Sequence, residues 1–171
     1  PEMADPAVDG PILVLNAGSS SIKFALFDAD LTETLSGMAD AIGAASSLRI
    51  GDDRRHTPLI DHRAALEAIL KALSDRGITP DRLRAVGHRV VHGGRKLTAP
   101  VRVTDQVRAE IANCTPLAPL HNPHNLAPME ALSRLAPDLP QFASFDTSFH
   151  ATNPSVATRY AIPKMMETKG I

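Results

Sequence analysis

Two β-rich apolar strings separated by only five small residues constrain this chain more than any other feature. ILVLN (12–16) and IKFALFD (22–28) each read as a strand, and AGSSS (17–21) between them leaves room for little more than a tight turn. The pair predicts an antiparallel hairpin. Within its turn, Gly18 lets a backbone approach a ligand closely, and successive backbone N–H groups with the hydroxyls of Ser19, Ser20 and Ser21 could cradle an anion. Lys23 follows on the second strand and could meet the anion's charge. GxxxxGK[ST] is absent and no helix is expected next, so this is neither a Walker A loop nor a dinucleotide fingerprint. A plain polar hairpin turn stays open as an alternative, since Gly and Ser are common in turns.

Beyond the hairpin, a third strand is expected somewhere in 32–50. Residues 61–77 carry the clearest helical pattern, with Leu66, Ile69, Leu70 and Leu73 on one stripe, Asp61 placed to cap the start and Gly77 to end it. LRAVGHRVVH (83–92) reads as a strand, 104–113 and 124–136 as helices, and QFASFD (141–146) as a last strand. Strands first, then strands alternating with helices, predict an α/β domain with a mixed sheet. Residues 1–11, rich in Pro, Asp and Ala, read as a flexible leader. YAIPKMMETKGI at 160–171 reads as a connection entering a further element, so the chain is expected to continue.

Three further segments carry candidate chemistry. In GHRVVHGG (87–94), strand alternation puts Arg89 and Val91 on one face and His88, Val90 and His92 on the other. A guanidinium beside an apolar side chain suits a ligand with a carboxylate head and a short alkyl tail, while a buried Arg–Asp pair with two core histidines is the alternative. In PLAPLHNPHN (116–125), His121 and His124 lack a visible third ligand, so a Pro-rich loop opening a helix is favoured over a metal site. In FDTSFH (145–150), Asp146 ends a strand, where ligands of α/β folds gather, although a cap is an equal reading.

Composition narrows the partners. Lys and Arg number 18 against 19 Asp and Glu, a net charge of -1 that provides no positive field for nucleic acid. No apolar run reaches the length of a membrane span. Cys114 is the only cysteine, expected to be a small core residue in a cytoplasmic protein.

Taken in order, LVLNAGSSSIKF, GHRVVHGG, PLAPLHNP, FDTSFHATNP and YAIP resemble the signatures of the acetate kinase family from Ile12 to the end of the chain. His124 and Asn153 depart from the usual family residues. The resemblance implies the fold shared by actin, the Hsp70 ATPase and sugar kinases: a ribonuclease H-like lobe with a mixed five-stranded sheet flanked by helices. Residues 12–150 would form the first lobe and 151–171 the entry to a second. It also implies ATP-dependent phosphorylation of acetate to acetyl phosphate, reversible, with Mg²⁺ or Mn²⁺, in a homodimer. A propionate or butyrate kinase, or a non-catalytic nucleotide-binding lobe, is the runner-up.

Carried onto this chain, the family roles put Asn16 at the metal and phosphate site, and Ser19, Ser21 and Lys23 along the ATP phosphates. Arg89 would contact both the carboxylate substrate and the transferring phosphoryl group. Val91 and Leu120 would line the methyl pocket, His121 would lie near the transferring group, and Asp146 would be the catalytic carboxylate.

Overall fold

The structure, a computed structural model, describes residues 9–159 and 161–167. Its sheet opens with β1 (Ile12–Ala17) and β2 (Ile22–Phe27), the expected hairpin, paired antiparallel from Ile12↔Phe27 to Ala17↔Ile22. β3 (Glu33–Asp40) pairs antiparallel with β2. A short hairpin, β4 (Ser47–Ile50) and β5 (Asp53–His56), extends the sheet on that side. On the other side of β1 lie β6 (Ala85–Val90) and β8 (Gln141–Phe145), both parallel to their inner neighbour. The two-residue β7 (Val101–Arg102) closes the edge antiparallel to β8. The order is β5-β4-β3-β2-β1-β6-β8-β7. The five strands expected from the sequence are its centre, and three short ones extend it.

Alternation decides what each face does. Leu13, Leu15, Ala17, Ile22, Phe24, Leu26, Val86, Val90, Ala143 and Phe145 point to one side and are buried. Helices α1 (His62–Ser74), α2 (Asp105–Asn113) and α3 (Asn122–Leu135) pack there. α1 buries Leu66, Ile69, Leu70 and Leu73, the stripe visible in sequence. It starts as expected: the Asp61 carboxylate accepts from the Ala64 N–H at 2.7 Å. Gly77 takes a φ of +82° just past its end, as a helix terminus favours.

Residues 1–8 of the expected leader, and Tyr160 and residues 168–171 of the expected connection, lie outside the described residues. Pro11 is already tied to the sheet, its carbonyl accepting from Arg84 N–H at 3.0 Å. Short helices α4 (Ser155–Thr158) and α5 (Lys164–Glu167) follow β8. Among the described residues, no helix is long and apolar enough to cross a membrane.

Candidate functional site

β1, β6 and β8 are adjacent and run parallel, so their carboxyl ends share one rim of the sheet. That rim is where α/β folds collect ligands, because the strand ends present side chains and loops to a crevice. Three residues distant in sequence meet there. Arg89, on β6, donates from Nε to Asp146 Oδ1 at 2.9 Å and from Nη2 to Oδ2 at 2.6 Å, a fork on a carboxylate. Its Nη1 donates to Asn16 Oδ1 at 3.1 Å. Asp146 follows β8 directly, and Asn16 is the penultimate residue of β1.

The register widens this row. Asn16 pairs with Lys23 across the hairpin, and Arg89 pairs with Ser144, so all four share the face opposite the helices. The Arg89 and Asp146 side chains keep 48% and 42% of their surface exposed. An ion pair so open to water contributes at most about 1 kcal/mol, so a ligand anion can compete for the guanidinium. Asp146 raises the affinity of Arg89 for its proton, first through the hydrogen bond, so the group stays cationic at every working pH.

Two alternatives from the sequence now resolve. The Arg–Asp pair exists, but at an exposed rim and not in the core. His88 is a core histidine: it is buried against Gln141, with 2.9 Å between Nε2 and Oε1, and burial pushes its pKa down to about 4. Asp146 opens a 3₁₀ turn (Asp146–His150), and its carboxylate is engaged by Arg89 rather than by the turn. His121 and His124 form no metal cluster among the described residues. His124 instead stacks on His62, ring centroids 4.6 Å apart.

Of the remaining expected residues, Lys23 is the register partner of Asn16, and the others lie in the segments that follow β1 and β6 or precede α3. Ser19 is exposed and Ser21 half-buried in the turn after β1, and Lys23 is exposed on β2. Val91 is half-buried one residue past β6. Leu120 is 72% exposed and His121 exposed, just before α3. No hydrogen bond among the described residues joins the side chain of His121 to Arg89.

The sequence reading assigned no role to the side chains that hold this rim in place. Asn125, buried in α3, accepts from Val91 N–H at 3.1 Å and donates to the Ala17 carbonyl at 2.6 Å, tying the segment after Arg89 to the one after Asn16. Asn122, fully buried, accepts from His92 N–H and donates to the carbonyls of His92 and Ile111. Thr147 Oγ1 accepts from Gly93 N–H at 3.1 Å. Close packing makes Gly93 obligatory, since a Cβ there would stand 2.2 Å from the Leu97 carbonyl oxygen. The signal for the two amides was in the string HNPHN, but Asn beside Pro reads equally as turn chemistry.

Comparison with known proteins bears on the whole chain. The Acetokinase family pattern matches residues 11–171. An acetate kinase of Deinococcus deserti is 48% identical over 158 residues, covering 89% of this chain and 39% of that protein. One of Streptomyces avermitilis is 47% identical over 161 residues, covering 88% and 40%. Among solved structures, Porphyromonas gingivalis acetate kinase superposes with a TM-score of 0.86 at 36% identity, covering 95% of this chain and 44% of that one. A propionate kinase from Francisella tularensis gives 0.87 at 33%, covering 94% and 43%. The chain therefore spans about two fifths of the length of these relatives.

Proposed function

Since the chain belongs to the acetokinase family, we propose that it forms one lobe of a kinase that moves the terminal phosphoryl group of ATP onto acetate, giving acetyl phosphate and ADP, and back again. Residues 12–150 form that lobe and 151–171 lead into the next. The observation that carries this reading is the hydrogen-bonded set of Asn16, Arg89 and Asp146 on one strand-end rim.

Phosphoryl transfer asks the protein for position and charge, with little covalent chemistry. Acetate, with a pKa near the ~4.3 of a Glu side chain, is already an anion at neutral pH and needs no base to become a nucleophile. The difficulty is that two anions must approach each other. In this reading Arg89 touches both, offsets their repulsion and meets the charge that develops in the transition state. Its planar fork now grips Asp146, and the same fork fits a carboxylate or a phosphoryl group. Ser19, Ser21 and Lys23, on the same end of the hairpin, line the path of the ATP phosphates. Gly18 has ordinary negative φ, and a Cβ there would sit 3.8 Å from Ser21, so the turn itself does not demand glycine. The missing Cβ would leave room beside the turn for a phosphate.

Val91 and Leu120 border the place for the substrate's methyl group, and His121 lies beside them. Asp146 and Asn16 supply hard oxygens, both now accepting from Arg89; once Arg89 turns to the substrate anions, these oxygens would hold Mg²⁺ or Mn²⁺, ions that take one or two protein oxygens with phosphates and water completing the shell. Such an ion would neutralise charge on the phosphates. Asp146 thus orients the ion or the substrate and is no general base. The intact kinase is a cytoplasmic homodimer in this reading, a compartment that suits the lone, buried Cys114.

The decisive experiment is acetyl phosphate formation by the intact kinase carrying Asp146→Asn, measured across Mg²⁺ concentration and pH. The expected outcome is a rate depressed ~100-fold, as for loss of one charged contact to a transition state, and partly restored by excess Mg²⁺. No restoration, together with loss of a pH step near neutrality, would make Asp146 a base. A second reading, a propionate kinase, is compatible with the likeness to the Francisella structure. One methylene is worth ~1–3 kcal/mol of discrimination, and the ratio of kcat/KM for acetate and propionate decides it.

A further inference from the structure

The turn at residues 18–21 is held open from behind. A four-residue turn often closes with the first carbonyl accepting from the fourth N–H. Here that bond would run from Ser21 N–H to the Gly18 carbonyl. Gly18 N–H does donate to the Ser21 carbonyl at 2.8 Å, but the Gly18 carbonyl lies 2.6 Å from Nε2 of His62. His62 is the first residue of α1 and is 8% exposed, so it reaches the turn from within the helix layer.

Two more carbonyls of the turn are fixed in the same way. Asn125 holds that of Ala17 at 2.6 Å, and Ile42 N–H donates to that of Ser20 at 2.9 Å. Every described peptide bond is trans, so each held carbonyl turns the next N–H in the opposite direction. Ser19 N–H, which shares a peptide plane with the Gly18 carbonyl, is thereby directed away from α1. The N–H groups of Ser19, Ser20 and Ser21 then have no acceptor among the described residues. Three neighbouring backbone donors without acceptors on an exposed turn are available to an anion.

We propose that His62 is a positioning residue that keeps this turn open: by occupying the Gly18 carbonyl, it leaves the amides of Ser19–Ser21 for phosphoryl oxygens. This rests on the reading that the turn receives the phosphates of ATP. His62 touches no substrate itself. It acts through Gly18, with its Nε2 carrying the proton and donating to the carbonyl. The ring of His124, stacked at 4.6 Å and 25°, fixes its plane. Removing the donor frees the Gly18 carbonyl to take the Ser21 N–H, and the turn closes on itself.

The test uses the chain itself, observed by amide NMR, with pyrophosphate as the probe. His62→Phe keeps a flat ring but loses the donor. His62→Gln keeps a donor of similar reach. Two results are expected of His62→Phe: slower Ser21 amide exchange by about tenfold, and pyrophosphate affinity at Ser19–Ser21 weaker by about tenfold, the scale of one hydrogen bond. His62→Gln should restore both. Should the Phe variant not fold, His62→Asn, too short to reach Gly18, makes the same comparison. Unchanged exchange and binding in the donor-less variant would overturn the proposal. So would a Gln variant that behaves like Phe, or a wild-type turn whose amides ignore pyrophosphate. The kinase reading is judged separately by acetyl phosphate formation by the intact kinase. An active kinase with a silent turn refutes only the role of His62, and a responsive turn in an inactive kinase refutes only the kinase reading.

Discussion

Asn122 and Arg89 each make three or more hydrogen bonds at the same end of the sheet, yet they belong to two different regions. Asn122 sits in the helix layer behind the strands, fully buried, its carboxamide spent on the backbone of His92 and Ile111. Arg89 stands in front of them, about half exposed, and holds only Asn16 and Asp146. Behind the sheet, among the described residues, no buried side-chain polar atom lacks a partner. A buried group cannot fall back on water, so these bonds are fixed. The pairs in front can be exchanged for water or for a ligand at little cost. The frame is therefore rigid where it shapes the strand ends and exchangeable where a substrate would enter.

The contrast breaks first under substitution of the frame. Asn122→Ala leaves the His92 N–H and carbonyl without their partner and takes one of two donors from the Ile111 carbonyl, which keeps the Cys114 N–H, so at ~1–3 kcal/mol for each orphaned group the loss of stability should reach about 3–5 kcal/mol. Denaturant unfolding of the variant measures it.

The next effect is acid sensitivity of the same layer. Burial lowers the His88 pKa from 6.5 to about 4 in the folded chain. Between those values the unfolded chain binds more protons than the folded one. Stability from this residue is therefore complete above pH ~6.5 and is lost as pH falls toward ~4, by about 3 kcal/mol. Unfolding followed from pH 7 to pH 4 should show this slope, and His88→Gln should flatten it.

The smallest effect belongs to the front. Asp146→Ala should shift unfolding by no more than about 1 kcal/mol, because its pair with Arg89 is open to solvent. A larger loss would place the rim in the rigid frame and erase the distinction.

How legible these two regions were in the sequence follows the same division. The central strands and α1 announced themselves through alternation, the short turn at 17–21 and the Asp61 cap. β5 did not: DRRH is exposed at every position and becomes a strand only because β4 offers it an edge across a two-residue connection, with Gly51 at a φ of +57°. α3 begins at Asn122, earlier than its apolar pattern, because Pro123 suits a first turn. Asn16, Arg89 and Asp146 were each ambiguous alone, and only their order beside the family signatures singled them out. That Arg89 and Asp146 pair directly depends on the parallel register of β6 and β8, which no local pattern encodes. Asn122, Asn125 and His62 were hidden for the same reason. Their partners lie 11 to 108 residues away.

In the proposed kinase, the Arg89 fork at the shared strand ends serves phosphoryl transfer. Arg89→Lys in the intact kinase tests it most directly, since the charge remains while the planar pair of donors is lost. The kcat for acetyl phosphate formation should fall ~100-fold or more, well beyond any change in KM, with unfolding shifted by less than about 1 kcal/mol. A kcat close to that of the unsubstituted enzyme would contradict it.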